Sequence, residues 1–273
     1  MSELKVVYRS EYFGKGDEPV AFQYTRVLFQ HEGEDELYQG LSKKRYQIDA
    51  DVEEHDFYET FLIPKENLNP DFRSGFTNAS HLEDEPGQWY TKRPNLSQYN
   101  PQEPDQLKNQ ILEEVGICEY LKKHPHPNIA VYHGCEVDDS RITGLCFTNY
   151  GQSLMERVNP MKYNKRMFSL KRGGGLSPEI RQWLHGIESG IRHLHSFGLV
   201  HNDINPANIM FDGDAPVIID FGSCRLKGSD INMVGRTYEW YDDNVMVAMP
   251  GNDLDALEEI RLWLGGNVDN FKF

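Results

Sequence analysis

The decapeptide HNDINPANIM, residues 201–210, limits what this 273-residue chain can fold into more than any other stretch. It sets His201, Asn202, Asp203, Asn205 and Asn208 on one short run of backbone, between the apolar GLV before it and the strand-like IMFD within and after it. A buried polar group without a partner costs about 1–3 kcal/mol. The turn therefore implies either a reaction that uses these groups or a hydrogen-bond network that satisfies them. Its surroundings are equally specific. SPEIRQWLHGIESGIRHLHSFG, ending at Gly198, predicts a long helix, with Ser177 as N-cap, Pro178 at the first helical position and Glu179 in the first turn. NIMFD and APVIID flank Asp212-Gly213 and predict a hairpin of two short strands. Asp220-Phe221-Gly222 follows directly.

Composition narrows the partners. The 43 acidic and 28 basic residues give a formal charge of -15, which disfavours nucleic acid or an anionic membrane, because both are polyanions. A bound phosphate would need local cations or a metal. No apolar run is long enough to span a bilayer, and MSELKVVYRS lacks the apolar core of a signal peptide. The expectation is a soluble cytoplasmic protein, with the nucleus left open. Cys118, Cys135, Cys146 and Cys224 form no CxxC pair and read as buried free thiols.

Residues 1–65 alternate as five strand-like runs, LKVVYRSEYF, VAFQYTRVLFQ, ELYQGL, KRYQIDADV and DFYETFLI, and predict an antiparallel sheet. Residues 64–88 read as irregular or weakly stranded, and WYTKRPN as a short strand ended by Pro94. DQLKNQILEEVGICEYLKK, residues 105–123, spaces Leu107, Ile111, Val115, Cys118 and Leu121 as one face of a helix. IAVYHGCEV and RITGLCFTNYG predict two further strands. The basic PMKYNKRMFSLKRGGG, residues 160–175, reads as an exposed mobile loop. NDLDALEEIRLWLGG predicts a last helix with Gly265 at its end.

The order helix, HxDxxxxN, hairpin, DFG, with 17 positions from Asp203 to Asp220, resembles the active centre of protein kinases and their phosphotransferase relatives. KRPNL, EVGICEYLKKHPHPNIA, IIDFGSCR, GRTYEWYD and NDLDALEEIRLWL are similar to the kinase-like proteins abundant in filamentous fungi, over about residues 85–265. The resemblance implies an α+β, two-lobed protein-kinase-like fold. Residues 1–148 would form a β-rich small lobe, with the N-terminal strands at 1–65 and the Lys strand and regulatory-type helix at 85–123. Residues 149–152 would be the hinge and 153–273 a truncated helical large lobe. It implies ATP and Mg²⁺ as cofactors. Asn208 and Asp220 would be the metal ligands and Asp203 the base or orienter. Lys92 would sit on the phosphates, paired to Glu114 rather than Glu113. Thr148 to Tyr150 would meet adenine behind Phe147, and Asp253 would anchor the loop. His201 reads as a packed anchor.

Four departures from the pattern carry consequences. No GxGxxG precedes Lys92, with Gly75 and Gly87 standing alone. Asn202 replaces the arginine that would receive an activation-loop phosphate. Asn205 replaces a lysine that would meet the transferring phosphate. There is no APE motif, and no sequence here from which the later substrate-gripping helices could form. Three readings follow: an ATP- and Mg-dependent phosphotransferase acting on a protein hydroxyl, a small-molecule kinase resembling aminoglycoside or choline kinases, or a pseudokinase binding module. The acceptor, protein or small molecule, stays open, with no nucleic-acid or membrane partner expected. GRTYEWYDDNV reads as core packing before substrate contact, and the HxH pairs at His124/His126 and His193/His195 as structural before metal-binding.

Overall fold

A computed structural model describes residues 4–14, 21–47, 50–80, 82, 87–172 and 175–273, without the side chains of 170–172. It divides into two compact units, one of residues 1–73, 93–111 and 138–143, the other of 74–92, 112–137 and 144–273. The architecture is α+β, rich in strands toward the N-terminus and in helices toward the C-terminus. Among the described residues no helix is long and apolar enough to cross a membrane.

The first unit is built on an antiparallel meander of β1 (Leu4–Phe13), β2 (Phe22–His31), β3 (Leu37–Ser42) and β4 (Phe57–Ile63), hydrogen-bonded in that order. Strand alternation sends Val27 and Phe29 of β2 to one face, where they bury against Val52, Tyr38, Tyr46 and Phe57. The sheet has four strands, not five. KRYQIDADV is the connection from β3 to β4: Lys44–Gln47 and Ala50–Val52 carry no regular structure, and Ile48 and Asp49 lie outside the described residues. The alternating apolar residues of this run pack against the sheet instead of joining it. Tyr46 and Val52 plug the sheet face, and the Tyr46 hydroxyl donates to Asp56 Oδ2. The short helix α1 (Lys65–Leu68) follows.

A three-stranded sheet is ordered β5 (Trp89–Lys92), β7 (Arg141–Thr148), β6 (Tyr132–Asp138). α2 (Gln106–Lys122) runs between β5 and β6 in sequence. α3 (Leu154–Val158) begins at Ser153, whose side chain accepts from Glu156 N while Glu156 returns the bond to Ser153 N, a reciprocal cap. α5 (Pro178–Ser196) starts as its sequence predicts, with Ser177 Oγ accepting from Ile180 N. Its apolar face, Ile180, Trp183, Leu184, Ile187, Ile191 and Leu194, is fully buried. A Cβ on Gly190 of this helix would lie 2.8 Å from the Asn128 carbonyl oxygen, so glycine there permits the close approach of the 128–130 segment. β8 (Leu199–Val200) pairs with β11 (Arg225–Leu226), and β9 (Ile209–Asp212) with β10 (Ala215–Ile218) in the expected hairpin.

One expectation fails here. The basic segment contains a helix, α4 (Lys165–Arg172), packed on α6 (Pro250–Gly265), and Lys165 is buried in it. The run is amphipathic enough to hide Phe168 and Ser169 while exposing Arg166 and Met167, so its basic composition concealed a helical face. α6 ends at Gly265, as its sequence predicts, and Gly266 caps it at a left-handed φ of 77°.

Candidate active site

Alternation along β5 puts Tyr90 and Lys92 on one face, opposite Phe147 and Leu145 of β7. α2 brings Glu114 to the same point. Lys92 Nζ donates to Glu114 Oε1 and Oε2 at 2.7 and 2.8 Å, and to Asp220 Oδ1 at 2.7 Å. Burial by itself would lower the Lys92 pKa, but the two carboxylates outweigh it and hold the ammonium above its usual range. Glu114 is buried deeply enough that desolvation raises its pKa despite Lys92. Asp220 goes the other way: burial works against its charge, and Lys92 still draws it below the usual carboxylate value. Glu113 points elsewhere and pairs with Arg225 at 3.0 Å. Gly222 lies beside this convergence, where a Cβ would stand 3.3 Å from Asp220 Oδ1 and in ordinary contact with Lys92 Nζ and Glu114 Oε2.

The polar decapeptide resolves into a network centred on buried Asp253. Its Oδ2 accepts from His201 N at 2.9 Å and lies 2.8 Å from His195 Nε2, while Oδ1 accepts from Asn202 N at 2.8 Å. His201 is fully buried; Nδ1 accepts from Asp203 N and Nε2 meets the Ile219 carbonyl at 3.0 Å, which uses both ring nitrogens to hold the loop. Asn202 adopts a left-handed φ of 63° and spans the site's backbone, donating to the Val200 and Ser223 carbonyls. Asp220 shares that φ. Two non-glycine residues in a region that costs about 1–3 kcal/mol each are held there by their hydrogen bonds. Asn205 is buried, donating to Asp203 O and Thr237 Oγ1 and accepting from Ala207 N.

Asp203 is raised in pKa by burial, against the bonds from Thr237. Thr237 N donates to Oδ1 at 2.8 Å and Thr237 Oγ1 to Oδ2 at 3.1 Å. Asn208 Nδ2 donates to Asp203 O and Oδ2 at 3.0 and 2.9 Å, so the amide oxygen of Asn208 is the atom left for a cation. With the carboxylate of Asp220 it offers the hard oxygen donors that Mg²⁺ requires. Thr237 was missed in the sequence, where GRTYEWYD reads only as an aromatic cluster. The segment divides its labour: Trp240 is buried edge-on to Trp263, whereas Tyr238 is exposed.

Lys92 and Asp220 line a cleft of about 510 Å³, whose walls also include Tyr90, Ala130, Phe147, Thr148, Tyr150 and Met210. Thr148 N donates to Val131 O, and Asn149 N to Gln88 O. Tyr150 presents its ring hydroxyl to Val131 N at 3.0 Å. Residues 83–86, in the stretch where the sequence has no paired glycines, lie outside the described residues. His193 Nε2 lies 2.8 Å from the His124 carbonyl oxygen. All four cysteines are buried and free.

A lysine clamped by a helix carboxylate and a DFG-type aspartate, beside an anchored HxDxxxxN loop, defines the kinase-like phosphotransferases as a class. The comparison with known families is specific. A protein kinase domain model matches residues 88–247, more than half of the sequence, and the chain belongs to that family. It is similar to Serine/threonine-protein kinase TAO3 of Xenopus laevis and of Homo sapiens, each 26% identical over 169 residues, covering 60% of this chain and 17% of the relative. It is 25% identical to Serine/threonine-protein kinase Tao of Drosophila melanogaster over the same length, covering 14% of that protein. The chain thus spans less than a fifth of the length of these relatives.

Proposed function

We propose that the chain is an ATP- and Mg²⁺-dependent phosphotransferase that phosphorylates a hydroxyl on a protein substrate. The observation that carries this reading is the three-way contact of Lys92 with Glu114 and Asp220 at the inner end of the 510 Å³ cleft. An ammonium held fully charged there suits the α and β phosphates. Asp220 and the Asn208 amide oxygen would hold Mg²⁺, and Asp203 would orient or deprotonate the acceptor hydroxyl. Thr148 and Tyr150 would line the adenine end. The protein acceptor is carried over from the names of the serine/threonine kinase relatives. The narrower relationship to the kinase-like proteins of filamentous fungi, and a cytoplasmic location, belong to the same proposal and rest on the sequence motifs alone.

A second reading has one observation in its favour. Both oxygens of Asp203 already accept hydrogen bonds from Thr237 and Asn208, which suits a module that binds nucleotide without transferring phosphate. One pair of measurements separates the two. Mg·ATP at millimolar concentration should raise the melting temperature, and Asp220→Ala should abolish most of the shift. No shift sinks the nucleotide reading altogether, and a shift with no labelled product from radiolabelled ATP favours the binding module.

A further inference from the structure

The turn that meets Asp203 is open to solvent and strained. Thr237, Tyr238 and Glu239 are exposed, and Glu239 holds a left-handed φ of 69° without being a glycine. That conformation persists only where the surrounding structure enforces it. The turn closes on itself through Trp240 N, which donates to Thr237 O at 3.1 Å, and is otherwise held from its two ends.

The inner end is the site. Thr237 N and Oγ1 donate to the Asp203 carboxylate, and Asn205 Nδ2 donates to Thr237 Oγ1 at 3.0 Å. The outer end is Lys165. Its ammonium donates to the carbonyl of Glu239, the strained residue, at 2.5 Å and to Glu259 Oε1 at 2.5 Å. It also stands 4.7 Å from the centre of the buried Trp240 ring. Lys165 and Glu259 are both buried and both rooted in helices, one opening α4 and the other within α6, which pack together. A fixed interior point is thus bonded, by a charge-assisted hydrogen bond, to the carbonyl two residues beyond the threonine that touches Asp203. A sealed lysine–glutamate pair gains little stability over an apolar pair of the same volume. What an apolar pair cannot supply is a donor for the Glu239 carbonyl.

We propose that Lys165 is a positioning residue for phosphate transfer: by holding the Glu239 carbonyl it sets the 237–240 turn, and through that turn it keeps Thr237 on Asp203. The inference rests on the function proposed above and adds to it a residue sealed in the interior. The nucleotide end does not depend on the turn, because Lys92, Glu114 and Asp220 hold one another directly.

The test is Lys165→Met/Glu259→Leu in the full chain, which fills the space and leaves no buried charge but gives Glu239 O no donor. Amide hydrogen exchange should quicken at Thr237 by about tenfold or more, while the amides of His201 and Asn202, held by Asp253, follow the global stability read by denaturant unfolding. With γ-labelled Mg·ATP and a degenerate serine/threonine peptide library as acceptor, kcat should fall about tenfold at an unchanged KM for Mg·ATP. In a Thr237→Val background the same pair of substitutions should cost less than it does alone, since residues that act as one unit are not additive. Unchanged exchange at Thr237 overturns the inference and leaves the packing of Trp240 to set the turn. Quickened exchange with undiminished kcat overturns it too, as does a full multiplicative loss in Thr237→Val. A wild-type chain that transfers no phosphate sinks the proposed function instead, and exchange at Thr237 alone then decides whether Lys165 holds the turn. If the apolar pair does not fold, Lys165→Gln/Glu259→Gln, whose amide ends one bond short of the lysine nitrogen, is read in the same way.

Discussion

Two lysine–glutamate pairs in the second unit have the same chemistry and opposite surroundings. Lys92 meets Glu114 at the wall of a cleft, with a quarter of its side chain exposed, and a second carboxylate, Asp220, joins them. Lys165 meets Glu259 at 2.5 Å in a sealed interior, with side-chain exposures of 4% and 0%. Its ammonium also donates to the main-chain oxygens of Glu239 and Phe273 and faces the rings of Trp240 and Phe271. The two extra contacts differ in kind. A second carboxylate gives the Lys92 site more acidic than basic groups, whereas main-chain oxygens and aromatic faces complete the solvation of Lys165. The titration directions agree: burial lowers the Lys165 pKa despite Glu259, while carboxylates raise that of Lys92 despite burial.

The contrast can be broken most forcefully at Lys165. Lys165→Met should cost about 3–5 kcal/mol of stability, because it strands Glu259 in the interior, and adding Glu259→Leu should restore much of it. Denaturant unfolding measures both, and equal losses in the single and double variants would show that the pair is not the unit. Lys92→Met should lower stability by less, about 1–2 kcal/mol, since water reaches the cleft and Glu114 already tends toward its neutral form. If the proposed function is right, the same change should lower phosphate transfer by about 100-fold or more, so activity and stability separate at Lys92 and coincide at Lys165. Thr237→Val removes the hydroxyl bond to Asp203 and the acceptor of buried Asn205 but keeps the backbone bond to Asp203, and on the proposed function should reduce turnover by roughly tenfold at a stability cost of about 1 kcal/mol, read by a kinase assay and by thermal unfolding.

The smallest effect, and the sharpest test of the comparison, is alkaline. Lys92 has a folded pKa raised above the unfolded value of about 10.4, so its contribution to stability is present below that pH and fades as pH rises through the folded value. Lys165 has a folded pKa below it, so folding gains as pH rises through the folded value toward the unfolded one. Unfolding free energy should therefore climb less, or fall more, with pH in Lys165→Met than in the wild-type chain, and the reverse should hold in Lys92→Met. Identical slopes in the two variants would remove the distinction.

Legibility in the sequence follows contact distance. Asp203, Asn208 and Asp220 are legible as a group because a loop, a hairpin and the DFG turn carry them within 17 residues of sequence, and Asn208 does bond to Asp203. Ser177 and Pro178 announced α5 because caps are local chemistry. Glu114 was singled out from Glu113 through family spacing, and the geometry places it, not its neighbour, on Lys92. Thr237 was overlooked because it reaches Asp203 across 34 residues, and no pattern of its own marks it. KRYQIDADV failed as a strand because alternation reports that side chains face two environments, not that a backbone partner is available. The basic run at 160–175 failed because its mean polarity hid a helical face that only α6 makes visible.

By itself the sequence determined the local geometry: where helices start and stop, the hairpin after the polar turn, and the spacing that sets two carboxyl groups and an amide on one loop system. Those features arise from backbone preferences and short-range hydrogen bonds, which are encoded within a few residues. The tertiary structure decided which charges line a cleft and which are sealed in the interior. Lys92 ends a strand and Lys165 begins a helix, but their environments depend on partners 22 and 128 residues away for one, and 74, 94 and 108 residues away for the other. Electrostatic environment is a property of what surrounds a group in space, including the water it keeps or loses, so the same residue pair became an open site in one place and a buried brace in the other.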